Sequence, residues 1–193
     1  GVWMTSPEEL AVLVARASAG GIVTQIHAIG DAAVRVALDV LTPAARRGPL
    51  MPRVEHVQML HPDDRARFAA AGIAASVQPV HLGTDAAQAR TLWGGRAEVE
   101  GYTWGSLAAT GAVMAFGTDA PVESFDPWPG IALAVRREDP RWPSGTGPFA
   151  PEESITLERA LRAACVDPAR SAGEDDRGRL TVGQRADVVV VPA

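Results

Sequence analysis

Apolar positions along this chain recur at two spacings, and the two alternate. Leu10, Leu13, Val14 and Ala17 fall at helical spacing, and Ser6-Pro7-Glu8-Glu9 ahead of them is a capping box with proline at the first helical position. Gly20-Gly21 stops that helix. The apolar run Ile22-Val23-Thr24-Gln25-Ile26-His27 then reads as a strand. Gly30-Asp31 opens a second helix with Val34, Ala37, Leu38 and Leu41 on one face, closed by Pro43, and a second strand runs from Arg53 to Val57. His61-Pro62-Asp63-Asp64 starts a third helix, its acids placed where the helix dipole favours them, and Gly72 ends it.

Ile73 to Gln78 reads as a third strand, stopped at Pro79. Val80 to Gly105 is long, polar and rich in Gly and Trp, and reads as an irregular lid or substrate loop. A short helix over Ser106–Ala109 precedes a fourth strand, Val113 to Asp119. Trp128–Val135 reads as helical, Glu138–Glu153 as a second irregular loop, and Thr156 as the cap of a last long helix through Cys165. The tail holds two short extended runs around a turn and no helix, which sets it apart as a separate β element.

Strands alternating with helices predict an α/β fold with a parallel sheet, and about four such units make half of a TIM-like (β/α)8 barrel. A complete barrel takes ~250 residues, more than the 193 present here. The expected division is a half-barrel over 1–155, a helix and linker over 156–177, and a β tail over 178–193. An opened barrel exposes two strand edges, so self-association or pairing with a missing N-terminal half is expected.

Composition narrows the class. With 47% apolar and 21% charged residues the chain buries a substantial core. A net charge of −5 without a long basic run argues against nucleic acid as a partner. No apolar run approaches the roughly 18 residues that span a bilayer, and no secretory signal opens the chain, so no membrane partner is expected and the chain reads as cytoplasmic. The single cysteine, Cys165, lies in an apolar helical pattern that suits a small buried thiol. All basic residues are arginine; lysine is absent.

Three of the predicted strands end in groups able to ligate a metal: His27, His56 and Asp119. Residues at the C-terminal ends of barrel strands converge on one mouth, so two imidazoles and a carboxylate there point to a divalent metal, zinc above all. Each also has a plainer reading, His27 and His56 as satisfied structural histidines and Asp119 as a cap for the turn at Pro121. His81, just past the third strand, is a candidate substrate contact. His61, at a helix start, reads as structural.

His27-Ala28-Ile29-Gly30-Asp31, Arg53-Val54-Glu55-His56-Val57-Gln58, Ser76-Val77-Gln78-Pro79-Val80-His81 and Gly117-Thr118-Asp119-Ala120-Pro121-Val122 occur in order. With Asp167-Pro168-Ala169-Arg170 and Gly183-Gln184-Arg185-Ala186-Asp187-Val188-Val189-Val190, they resemble the C-terminal portion of a family 3 amidohydrolase. The resemblance implies a metal-dependent hydrolase of C–N bonds in small amide-type substrates. It implies metal positions at His27, His56 and Asp119, with Asp119 also moving a proton between water and the leaving nitrogen. Asp31 or Glu55 is a candidate for orienting an imidazole. The tail resembles the returning piece of a small β-sandwich. The family's His-x-His pair on the first strand and its bridging lysine are not present here. The reading is therefore a fragment that needs its N-terminal half for activity. The competing reading is a noncatalytic, self-associating half-barrel that serves as a binding or structural subunit.

Overall fold

The computed structural model describes residues 2–45 and 48–191, so the last two positions of the predicted tail lie outside the described residues. Its centre is one parallel sheet in the order β1 (Gln25–Ala28), β2 (Arg53–His56), β3 (Ala74–Val77), β4 (Met114–Phe116). The register puts Ile26 beside Val54, Val54 beside Ala75, and Ala75 beside Met114. That rank is buried. Side chains alternate across a strand, so the next rank, His27, Glu55, Ser76 and Ala115, faces the other side of the sheet. In β1 the alternation is complete, with Ile26 and Ala28 buried and Gln25 and His27 exposed.

Helices follow the strands. α1 (Pro7–Ala19) precedes β1, α2 (Asp31–Leu41) leads from β1 to β2, and α3 (Pro62–Ala71) from β2 to β3. Between β3 and β4 lie α4 (His81–Trp93), α5 (Ala97–Glu100) and α6 (Trp104–Ala109), and α7 (Trp128–Arg136) and α8 (Leu157–Ser171) follow β4. The predicted caps form: Ser6 Oγ accepts from Glu9 N at 3.2 Å, and Thr156 Oγ1 from Arg159 N at 3.1 Å. His61 caps α3 by accepting from Asp63 N at 3.3 Å through Nδ1, and Gly72 ends that helix at φ 67°. Val34, Ala37, Leu38 and Leu41 of α2 are all buried. Buried Asp64 of α3 pairs with Arg35 of α2 at 2.8 Å, and Arg67 of α3 bridges Asp64 at 2.9 Å to Asp39 of α2 at 2.5 Å. A parallel four-stranded sheet of successive βα units is part of a TIM-like barrel.

Three expectations need correction. Val80–Gly105 is largely helical, because α4 turns Leu82, Ala86 and Ala89 into the core and a face made mostly of alanines carries little apolar signal. Cys165 is exposed, since α8 buries Ala160, Ala163, Asp167 and Ser171 and the thiol lies off that stripe. The tail forms no strand over 178–191: Leu180, Val182 and Val188 to Val191 are exposed. No helix among the described residues is long and apolar enough to cross a membrane.

Candidate metal centre

The site is built where the strands end. At the end of β2 the backbone enters the left-handed region, with φ 76° at His56 and 47° at Val57, and Asp119 after β4 stands at 59°. Such angles are uncommon for residues other than glycine, and a β-branched residue there is a genuine outlier. Strained backbone of this kind persists only where its surroundings hold it. Here Val57 N donates to Ala28 O at 3.0 Å, Met59 N to Ile29 O at 2.8 Å, and Val122 N to Asp119 O at 2.8 Å. His81 arrives differently, as the first residue of α4, directly after β3 and the Pro79-Val80 turn.

One donor atom each from His56, His81 and Asp119 lies within 4.8 Å of the other two, and among the described residues no other such set occurs. His81 Nε2 is 3.8 Å from Asp119 Oδ2. The His56 and His81 rings stack with centroids 5.8 Å apart, and His27 meets the His56 ring edge-on at 4.4 Å. The fold thus brings all four predicted residues to one rim. His27 stands beside the three-donor cluster, while His81, assigned from sequence to substrate alone, is within it.

The cluster suits a divalent cation. Among the described residues, His56 Nδ1 and His81 Nε2 are buried without a hydrogen-bond partner, whereas buried polar atoms are ordinarily paired. Two such nitrogens beside a carboxylate form the nitrogen and oxygen donor set that first-row divalent ions take. Burial, and then the neighbouring His27, push the His56 imidazole below the ordinary histidine pKa, against an opposing pull from Asp119. The neutral ring is the form that ligates.

Neither proposed orienting carboxylate reaches an imidazole by a hydrogen bond: Asp31 pairs with Arg96, and Glu55 lies 3.5 Å from Arg53. Sequence reading missed a set of hydrogen-bonded polar residues that joins the segment after β2 to α4. Asp85 Oδ2 accepts from Gln58 Nε2 at 3.3 Å and from the Tyr102 hydroxyl at 3.2 Å. The available signal was the position of Gln58, two residues past His56. Trp104 is buried and Trp93 packs against the core, as expected of residues that fill the interior.

Comparison with known proteins bears on the same residues. The amidohydrolase family matches over residues 1–193. Protein LONG AFTER FAR-RED 3 of Arabidopsis thaliana is 37% identical over 99% of this chain and 33% of its own length. The N-substituted formamide deformylase of Arthrobacter pascens is 26% identical over 96% of this chain and 34% of its own. The crystal structure of an uncharacterized metal-dependent hydrolase from Pyrococcus horikoshii superposes with a TM-score of 0.80 at 28% identity, covering 96% of this chain and 37% of that one. The chain spans about a third of the length of the curated relatives it matches. A family match that runs through every strand, and through the loops that bear the histidines, accounts for sheet and rim together: the chain belongs to the amidohydrolase family.

Proposed function

We propose that this chain carries the metal site of a hydrolase that cleaves C–N bonds in small amide-type substrates. The observation that supports it is the convergence of His56, His81 and Asp119 donors within 4.8 Å. The Arthrobacter pascens relative, a formamide deformylase by name, suggests the bond type. In this reading His27, His56 and Asp119 hold the ion, joined by His81, and the imidazole-rich set favours zinc. A bound divalent ion supplies Lewis-acid polarisation and lowers the pKa of water. Asp119 accepts a proton from the attacking water and returns it to the leaving nitrogen as the C–N bond breaks.

Since the chain spans about a third of its relatives, the activity is proposed for the assembly that carries the remaining strands. Residues 1–155 form the barrel portion there and 156–177 the helix and linker; the 178–193 tail, without a strand over 178–191 in this chain alone, takes one up only on pairing with sandwich strands of that assembly. The test is zinc content after dialysis, followed by amine release from a panel of N-substituted formamides. One zinc per chain, lost in His56→Ala, is expected. A well-folded protein that takes up no zinc overturns the reading.

A further inference from the structure

We propose that Asp85 is a positioning residue for this centre: by accepting hydrogen bonds from Gln58 and Tyr102 it fixes the first turn of α4, so that His81 stands beside His56. The inference rests on the metal-centre reading above.

The first turn of α4 is closed by backbone bonds, His81 N to Gln78 O at 3.1 Å, Leu82 N to Pro79 O at 3.1 Å and Gly83 N to Val80 O at 3.0 Å, and its N-cap, Val80, adds no side-chain hydrogen bond. These bonds are local, so where the turn sits beside the end of β2 depends on what grips the helix from outside. Asp85 follows His81 by four residues, one helical turn, and so shares its face. Its Oδ2 takes the Gln58 amide at 3.3 Å and the Tyr102 hydroxyl at 3.2 Å. Tyr102 N donates in turn to Gln58 O at 2.8 Å, which closes a ring of three residues. Thr84 Oγ1, with one proton to donate, lies nearest to His81 O at 3.1 Å, with Asp85 Oδ1 at 3.3 Å and Glu123 Oε1 at 3.4 Å as competing acceptors.

That ring joins the two segments whose imidazoles must meet. Gln58 lies two residues past His56, on the strained turn after β2, and Asp85 lies one turn past His81. Gln58 and Tyr102 are 8% and 2% exposed, so water competes little for these bonds. Burial pushes the Tyr102 phenol far up, which keeps it protonated as the donor. Both bonds fall on the one oxygen Oδ2, so an amide oxygen in its place keeps an acceptor for each donor and alanine keeps none.

Co2+ is the probe, because its visible absorption reports the ligands around it. Removing a supporting residue of a metal site weakens binding roughly 10–100-fold. Asp85→Ala is expected to weaken Co2+ binding by about that factor and to change the spectrum of the bound ion. Asp85→Asn, which keeps an acceptor for the Tyr102 hydroxyl, should recover most of both. If Asp85→Ala does not fold, Tyr102→Phe removes one donor and should give a smaller change in the same direction. Asp85→Ala or Tyr102→Phe that binds Co2+ as tightly as the wild type, with the same spectrum, overturns the inference even if its thermal midpoint falls. A wild-type protein that binds no Co2+ overturns the metal-centre reading and this inference with it.

Discussion

The imidazole of His56 lies nearly parallel to that of His81, with 15° between the ring planes and 5.8 Å between centroids, although the two residues follow different strands. His56 is also the ring that His27 contacts. His56→Ala is therefore expected to reduce zinc content to background, while His27→Ala and His81→Ala each leave a weaker site. The same centre predicts a ligand effect on stability: zinc at about a hundred times its Kd should add roughly 2.7 kcal/mol. Thermal unfolding with zinc, and after chelation, checks both.

Gly83 is a close-approach position. A Cβ there would lie 2.6 Å from Asp139 Oδ2 and 2.7 Å from Arg141 Nη2, next to the carbonyl that accepts from Trp142 Nε1 at 2.7 Å. Both atoms are ends of side chains that can swing aside, so Gly83→Ala should part the Asp139–Arg141 pair from the first turn of α4 at a cost of about 1 kcal/mol. Urea unfolding measures the cost, and near-ultraviolet circular dichroism reports any change around Trp142.

Acid should loosen the same segment. Hydrogen bonds from Arg141, ahead of its charge, hold the Asp139 carboxyl below the usual aspartate value. The folded pKa lies beneath the unfolded one, so proton uptake favours the unfolded chain. The stabilisation is complete above the unfolded value and lost as pH falls from about 4 through the folded value. The difference in thermal midpoint between wild type and Asp139→Asn should hold near neutrality and shrink below about pH 4. A constant difference throughout would contradict it.

Arg137 is a buried cation whose two terminal nitrogens lack hydrogen-bond partners among the described residues. It lies over the Trp104 ring at 4.4 Å and donates from Nε to Phe149 O at 2.8 Å, and burial lowers its pKa to about 10. Its contribution is packing more than charge. Arg137→Ala should cost about 2–4 kcal/mol, whereas Arg137→Met, of similar length and uncharged, should cost far less. Paired denaturation curves separate the two.

Much of the fold could be read along the chain because local signals and tertiary demand agreed. The serine and threonine caps at Ser6 and Thr156, the proline after His61 and the apolar stripe of α2 all form as their residues dictate. α4 was hidden because alanines, His81 and Leu82 line its buried face, a thin apolar stripe. Cys165 misled because its neighbours in sequence are apolar while its helix faces inward elsewhere. At the rim, His27, His56 and Asp119 were visible as candidate site residues from the strand ends where they stand. The entry of His81 into the donor cluster was not, because it depends on where α4 begins in space. The ring of Gln58, Asp85 and Tyr102 joins residues far apart in the chain, which no local pattern encodes.

Among the described residues, β1 and β4 each have a neighbouring strand on one side only. In hydrogen exchange the two margins should therefore surrender their amide protons before β2 and β3, which are paired on both sides. Whatever strand docks on a margin would convert its fast-exchanging amides to slow ones, which makes the isotope pattern of the sheet a direct record of its company.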